Sequence, residues 1–227
     1  MQPLKINSMR KYLVEFIGTF FLVLVICLST GNGGNMLAPI AIGAVLMVMV
    51  YMGGHISGAH YNPAVTLAVL LRGKIGIKDS LVYVAFQIAG ALAAAMLFNL
   101  IWGISIGGPK PNTEINVLKP LAIEIVFTFA LALVVLSVAT SKKTAGNHYY
   151  GIAIGCTVLA GAIAGGGISG GAFNPAVAIG PILIDQFFGS CHCNPVQFLW
   201  IYLAGPFAGG AAAALVYRII NPEEFVP

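Results

Sequence analysis

The chain has 227 residues, of which 59% are hydrophobic and only 8% charged, with a mean hydropathy of +0.93. A soluble domain carries roughly 25% charged residues, so the composition excludes a soluble enzyme, a nucleic-acid binder and a disordered chain. The net charge of +4 implies no acidic partner, because the placement of the basic residues accounts for it.

A helix that crosses a bilayer needs about 20 mostly apolar residues. Taken in chain order, residues 12–29, 36–52, 81–102, 117–139, 149–165 and 196–220 meet or approach that length. The first lacks a small-residue cleavage site and reads as a signal anchor kept in the mature protein. Two shorter apolar stretches, 63–72 and 175–184, each follow an asparagine and open with Pro-Ala-Val. Asparagine is favoured at a helix N-cap and proline at the first helical position, so Asn62-Pro63 and Asn174-Pro175 read as helix starts. Both stretches are too short to cross and read as re-entrant half-helices. Non-helical backbone at membrane depth survives only where protein buries it or where it lines a wet cavity. A pore or a binding site at mid-membrane follows.

With the N-terminus in the cytoplasm, Lys5, Arg10, Lys11, Arg72, Lys74, Lys78, Lys142, Lys143 and Arg218 fall inside, and only Lys110 and Lys119 outside. This is the positive-inside pattern, with both termini cytoplasmic. Cys27 and Cys156 lie within apolar spans and read as small packing residues. Cys191 and Cys193 flank His192 in "GSCHCNP"; a disulfide or two loop thiols is the simpler reading and a metal site the alternative, with no second cluster to complete it. In the 141–150 loop, His148 is either a gating group titrating near pH 6–7 or a headgroup-level residue beside Tyr149 and Tyr150.

The halves of the chain resemble each other. "EFIGTF" at 15–20 matches "EIVFTF" at 124–129, and "GGHISGAHYNPAV" at 53–65 matches "GGGISGGAFNPAV" at 165–177. "AGALAAAMLF" at 89–98 pairs with "AGPFAGGAAAALVY" at 204–217. Each half holds three spans, an odd number, so the second half enters the bilayer from the opposite side. The half-helices then meet N-terminus to N-terminus near the midplane. Each such end carries roughly half a positive charge, and two facing a narrow passage oppose cations, protons included. The Asn62 and Asn174 amides offer N–H donors to the oxygen of a passing water, which interrupts a proton relay. Inverted repeats also mark transporters, so a secondary transporter with a mid-membrane neutral-solute site stands as an alternative. A non-conducting junction protein is the third.

The paired Asn-Pro-Ala-Val motifs, the "SGAHYNPAVT" context, Glu15, Glu124 and the "AGPFAGG" of the last span resemble the aquaporin (major intrinsic protein) family over nearly the whole chain. The resemblance implies an all-α membrane protein of six transmembrane helices plus two re-entrant half-helices in an inverted repeat. It further implies one channel domain, with repeats at about 10–105 and 117–220, no cofactor and no enzymatic activity, a pore in each subunit, and a homotetramer in the lipid bilayer. Carried over, Asn62, Pro63, Ala64 and Asn174, Pro175, Ala176 are the central pore motifs. Carbonyls of Gly58, Ala59, His60, Tyr61 and of Gly170, Gly171, Ala172, Phe173 form a ladder of acceptors. His60 is either a pore-side or a loop-packing histidine. Glu15 and Glu124 hold the re-entrant loops, a proton relay being the alternative, since a carboxylate at this depth is costly without partners.

The outer constriction, by the family's spacing, comprises Ile42, Ala162, Gly171 and Val177, a one-residue shift at Ala162 bringing in Gly161 or Ile163 as the alternatives. Most aquaporins have arginine at the position of Val177; plant vacuolar-membrane aquaporins share the valine. No residue of this set is charged, aromatic or strongly polar, which predicts a wide filter passing water and small uncharged solutes such as glycerol, urea or ammonia. Leu203, where water-selective members often have tryptophan, points the same way, whereas the short outer loop and the Val177-Ala178 pair differ from glycerol facilitators. Loss of the arginine leaves ion exclusion to the half-helix dipoles, with a small proton leak expected. Gly171 replaces a mercury-reactive cysteine, so no mercury block is expected there. The host is the plasma membrane or an intracellular, vacuole-like membrane.

Overall fold

The computed structural model describes residues 8–31, 34–103, 108–188 and 195–225. Among them are eight α-helices: α1 (Ser8–Thr30), α2 (Ala38–Ser57), α3 (Pro63–Leu71), α4 (Ile77–Trp102), α5 (Leu118–Val135), α6 (Tyr150–Ser169), α7 (Pro175–Phe188) and α8 (Leu199–Ile220). A single π turn, Leu136–Thr140, prolongs α5, and short 3-10 turns occupy Lys142–Thr144, Pro195–Phe198 and Pro222–Phe225. No strand occurs among the described residues. Among the described residues, six helices are long and apolar enough to cross a membrane: α1, α2, α4, α5 with its π turn, α6, and α8 with its leading turn. The Cys191-His192-Cys193 stretch lies outside the described residues.

Large apolar side chains such as Leu13, Phe21, Val48, Leu100, Val126 and Leu215 face outward, while Glu15, Gln87, Glu124, Asn62 and Asn174 are buried. A soluble protein does the reverse; here lipid replaces water as the outer solvent. Within each half, the first long helix packs on the third, α1 on α4 and α5 on α8. The half-helices cross over: α3 packs against α8, and α7 against α4. Each half therefore holds the short helix of the other. Where α2 meets α6, a Cβ on Gly43 would lie 2.9 Å from the Gly155 carbonyl oxygen, so only glycine allows this approach. Close backbone packing of that kind holds helices together in lipid, where apolar burial gives no drive.

Two boundaries run past the apolar windows. The sequence suggests that the second span stops at Met52, before Gly-Gly-His. Instead α2 continues to Ser57 and ends at Gly58, whose φ of 88° is left-handed; α6 likewise ends at Gly170, φ 87°. The apolar stretch of the second half-helix stops at 184, yet Asp185 is buried and α7 runs on to Phe188.

Candidate functional site

The two re-entrant loops are built alike. After Gly58 the chain passes through Ala59 (φ 51°) and Tyr61 (φ 48°) to the extended Asn62; after Gly170 it passes through Gly171 (φ 65°) and Phe173 (φ 49°) to Asn174. Left-handed backbone at a residue with a side chain costs about 1–3 kcal/mol and persists only where neighbours over-determine it.

Buried glutamates do so. The Glu15 carboxylate accepts the His60 N–H (3.0 Å), the Tyr61 N–H (2.7 Å), the Ser57 hydroxyl (2.7 Å) and the Gln87 amide (2.8 Å). Glu124 accepts the Ala172 N–H (3.1 Å), the Phe173 N–H (2.7 Å) and the Ser169 hydroxyl (2.7 Å). Tyr83 and Tyr202 donate to the carbonyls of Ser57 and Ser169 at 2.7 and 2.5 Å. The Tyr61 ring fills a slot between Gly18 of α1 and Gly53 of α2, where any Cβ would overlap it, and its hydroxyl donates to the Met49 carbonyl.

The loops are stitched together by their asparagines. Asn62 Oδ1 caps α3 by accepting the Ala64 N–H (2.8 Å), and its amide donates to the Phe173 carbonyl (2.9 Å). Asn174 Oδ1 accepts the Ala176 N–H (2.9 Å), and its amide donates to the Tyr61 carbonyl (2.9 Å). Helices α3 and α7 thus begin at one point and run apart. An asparagine amide carries two hydrogens; each here commits one across the repeat and keeps one for the lumen. The crossed bonds engage the carbonyls of Tyr61 and Phe173, the last rungs of the ladder expected from sequence, a use the linear motif does not reveal. Pro63, Ala64, Pro175 and Ala176 are buried behind the caps.

Both asparagines line a central cavity of about 30 Å³, with Ala59, His60, Tyr61, Gly171 and Ala172 and apolar residues of α1, α2, α5 and α6. At roughly 10–15 Å³ per water on this measure, the space suits two or three waters in file. On the face away from the chain termini it meets a cavity of about 290 Å³ through Ile26, Ile42, Gly171 and Val177; Gly170 and Lys110 line that wider space. On the terminal face it meets, at Ile154, a cavity of about 510 Å³ lined by Gly58, His55 and the loop after the π turn. The passage is an hourglass whose waist carries the asparagines. Phe173 lines none of these cavities; its ring rests on Phe127, 5.3 Å between centroids.

His60 is at once packed and pore-facing. Its Nδ1 lies 3.1 Å from Thr66 Oγ1. The Thr66 hydroxyl spends its hydrogen on the Asn62 carbonyl (3.0 Å) and also accepts from Gln87 (3.0 Å), so Nδ1 must be the donor and Nε2 carries the lone pair.

Ala162, the fourth residue of the constriction read from spacing, is not among the residues that line the central or the outer cavity. It sits half-buried one turn beyond Val158, and Ile26 of α1 lines the neck. His148 is exposed, lines no described cavity, and accepts the Tyr51 hydroxyl through its carbonyl. Residues the sequence reading passed over are Ser57, Ser169, Gln87, Thr66 and Ile26. The serines alone carried a signal, standing at matching places in the repeat.

The sequence profile of the family described as Major intrinsic protein matches residues 2–217. Among curated proteins, Aquaporin NIP1-4 of Oryza sativa subsp. japonica is 36% identical, over 96% of this chain and 80% of the relative. Aquaporin NIP1-2 of Arabidopsis thaliana is 33% identical, over 96% and 76% respectively. Among solved structures, the aquaglyceroporin from Plasmodium falciparum superposes with a TM-score of 0.83 at 22% identity, covering 96% of this chain and 99% of that one, which is a likeness of fold.

Proposed function

The chain belongs to the major intrinsic protein family and is a passive membrane channel for water and small solutes, not an enzyme; from that premise we propose that its filter is wide and aliphatic, admitting urea, glycerol and ammonia beside water. The observation that carries this reading is the neck between the central and outer cavities, where Ile26, Ile42, Gly171 and Val177 meet with no charged or polar side chain. Such a neck offers a solute no side-chain hydrogen bond, so its side chains impose only a size limit. Below it, Asn62, Asn174 and the His60 lone pair offer polar partners on one side of an otherwise apolar lumen. The opposed N-terminal ends of α3 and α7 put positive potential at the waist and oppose cations. Glu15 and Glu124 serve as loop anchors. The proposal also places both termini in the cytoplasm, following the basic residues, and assembles four copies through the apolar outer faces.

Stopped-flow light scattering of proteoliposomes tests it. The parent should pass water, urea and glycerol without saturation. Val177→Arg should cut urea and glycerol flux about tenfold or more, a loss of about 1.4 kcal/mol in barrier terms, and water flux less. Saturating urea flux would indicate a carrier, and a parent that passes water but no urea would refute the wide neck.

A further inference from the structure

The two halves of the chain line the central cavity in pairs. The alignment that sets Glu15 on Glu124 also sets Ile26 on Val135. The one that sets Asn62 on Asn174 sets Ile42 on Ile154, Ala59 on Gly171 and Val65 on Val177. No gap intervenes, because α2 and α6 are both 20 residues long and end in the same left-handed glycine turn. Ile26, Ile42, Gly171 and Val177 are the outer neck. Their counterparts Val135, Ile154, Ala59 and Val65 line the same cavity, and an inverted repeat puts them at its opposite end. There Ile154 is shared with the 510 Å³ cavity of the terminal face, and Val135 and His60 with a further cavity of about 310 Å³. These two spaces have Gly58, Ala139 and Thr140 in common, so they are lobes of one vestibule with this second ring at its head.

The two rings are not equally open. Val135 has one carbon fewer than Ile26, but Ala59 adds a methyl where Gly171 has none. The His60 imidazole borders the vestibule, whereas its counterpart Ala172 is not among the residues that line the outer cavity. All four residues of the terminal-side ring are buried, while Ile26, Ile42 and Gly171 are half-buried. Ala59 is moreover left-handed, at φ 51°, where glycine would be free of strain; the methyl is kept at that cost.

We propose that Ala59, Val65, Val135 and Ile154 form a second filter, in series with the outer neck and tighter than it, with Ile154 as its specificity-determining residue. This rests on the channel reading above and moves the limit on solute size to the far side of the asparagines. A solute that has passed the outer neck and bonded the asparagine amides sheds those bonds to enter a second aliphatic ring. The His60 lone pair there offers a solute with N–H or O–H groups one bond in exchange. Constrictions in series add as resistances, so widening the looser one changes little.

The test uses the full chain in proteoliposomes, with water, urea and glycerol flux read in the same vesicles. A single methylene at an apolar site discriminates by about tenfold or more, so Ile154→Phe should cut urea and glycerol flux by at least that factor and leave water flux measurable. Ile154→Ala should raise glycerol flux severalfold, whereas its counterpart Ile42→Ala should hardly change it. Urea and glycerol flux at the parent's level in Ile154→Phe, no gain from Ile154→Ala, or an equal or larger gain from Ile42→Ala would overturn the proposal. Where Ile154→Phe yields no monodisperse protein in detergent, the two alanine variants decide. Parent vesicles without urea flux would refute the channel reading, whereas parental urea flux with any of those outcomes would refute the second filter alone.

Discussion

The two re-entrant loops share a frame and differ in what is hung on it. Both use a glutamate from the first long helix of their half, a serine, two loop N–H groups, a tyrosine hydroxyl and an asparagine crossing to the other loop. The first adds a polar chain, in which Gln87 donates to Glu15 and Thr66, and Thr66 holds His60. With Tyr83 and Tyr202 equivalent through their matching bonds, the second has Pro206, Ala178 and Ala172 at the matching places. The duplicated part positions the asparagines, and the unduplicated part decides which side of the lumen is polar. A symmetric scaffold thus carries an asymmetric channel.

Removing the anchors should break the comparison most severely. Glu15→Ala and Glu124→Ala each leave two loop N–H groups and a serine hydroxyl without an acceptor. A buried group left unsatisfied costs about 1–3 kcal/mol, against a typical total stability of about 5–15 kcal/mol. Both variants should give a smaller monodisperse peak in detergent and a lowered thermal midpoint. Glu15→Ala should be the worse, because Gln87 loses its acceptor too. A Glu15→Ala chain that keeps the parent's thermal midpoint would show that the left-handed loop needs no carboxylate.

A smaller effect sharpens the asymmetry. Gln87→Leu gives Glu15 the same three donors that Glu124 has. It removes two hydrogen bonds worth about 1 kcal/mol each, but also an amide oxygen that has no partner among the described residues. The net loss should be about 1 kcal/mol, or about 2–4 °C in thermal midpoint for a chain of this size. In that background Glu15→Ala should cost no more than Glu124→Ala does alone, a coupling that a double-mutant cycle reads directly. Unequal costs would mean that the anchors differ through something besides Gln87.

The frame was more legible in the sequence than its furnishing. Apolar length revealed the six spans, and Asn-Pro at the head of two short stretches revealed the half-helices, because capping chemistry is local. Gln87 and Thr66 have no counterpart in the repeat, so comparing the halves gave no hint of their joint contact with Glu15. Ile26 was passed over for another reason. Helices α1 and α6 are apolar all round, since lipid bounds one face and protein the other, and a pattern without a polar stripe does not fix rotation about the helix axis. The crossed bonds of Asn62 and Asn174 link residues more than a hundred positions apart, beyond what any short motif encodes.

A third asymmetry lies at the far end of α3, and its effect should be the smallest. The Arg72 guanidinium bonds Glu224 of the last turn at 2.7 Å, with both side chains almost fully buried, and stacks on Phe225 at 4.4 Å. The same carboxylate accepts the Ser141 hydroxyl (2.6 Å) and the Lys142 N–H (2.9 Å), so the tail clips the first half-helix to the loop that borders the 510 Å³ cavity. The neighbouring Lys143–Glu223 pair is exposed and adds little. The Ser141 hydroxyl first, then the Lys142 N–H and the Arg72 charge, hold the Glu224 carboxyl below the usual carboxylate range, with burial opposing them. A carboxyl lowered on folding stabilises the fold above its unfolded value of about 4.3, and that contribution disappears as pH falls through the lowered native value. The clip should therefore be intact from pH 7 to about 5 and open only as pH falls through that lowered native value. Thermal midpoints in detergent should fall on the acid limb less steeply for Glu224→Gln than for the parent, by a few degrees. Superimposable acid limbs would mean that the tail turn is held by Phe225 on Arg72 and Arg218 and not by the carboxylate.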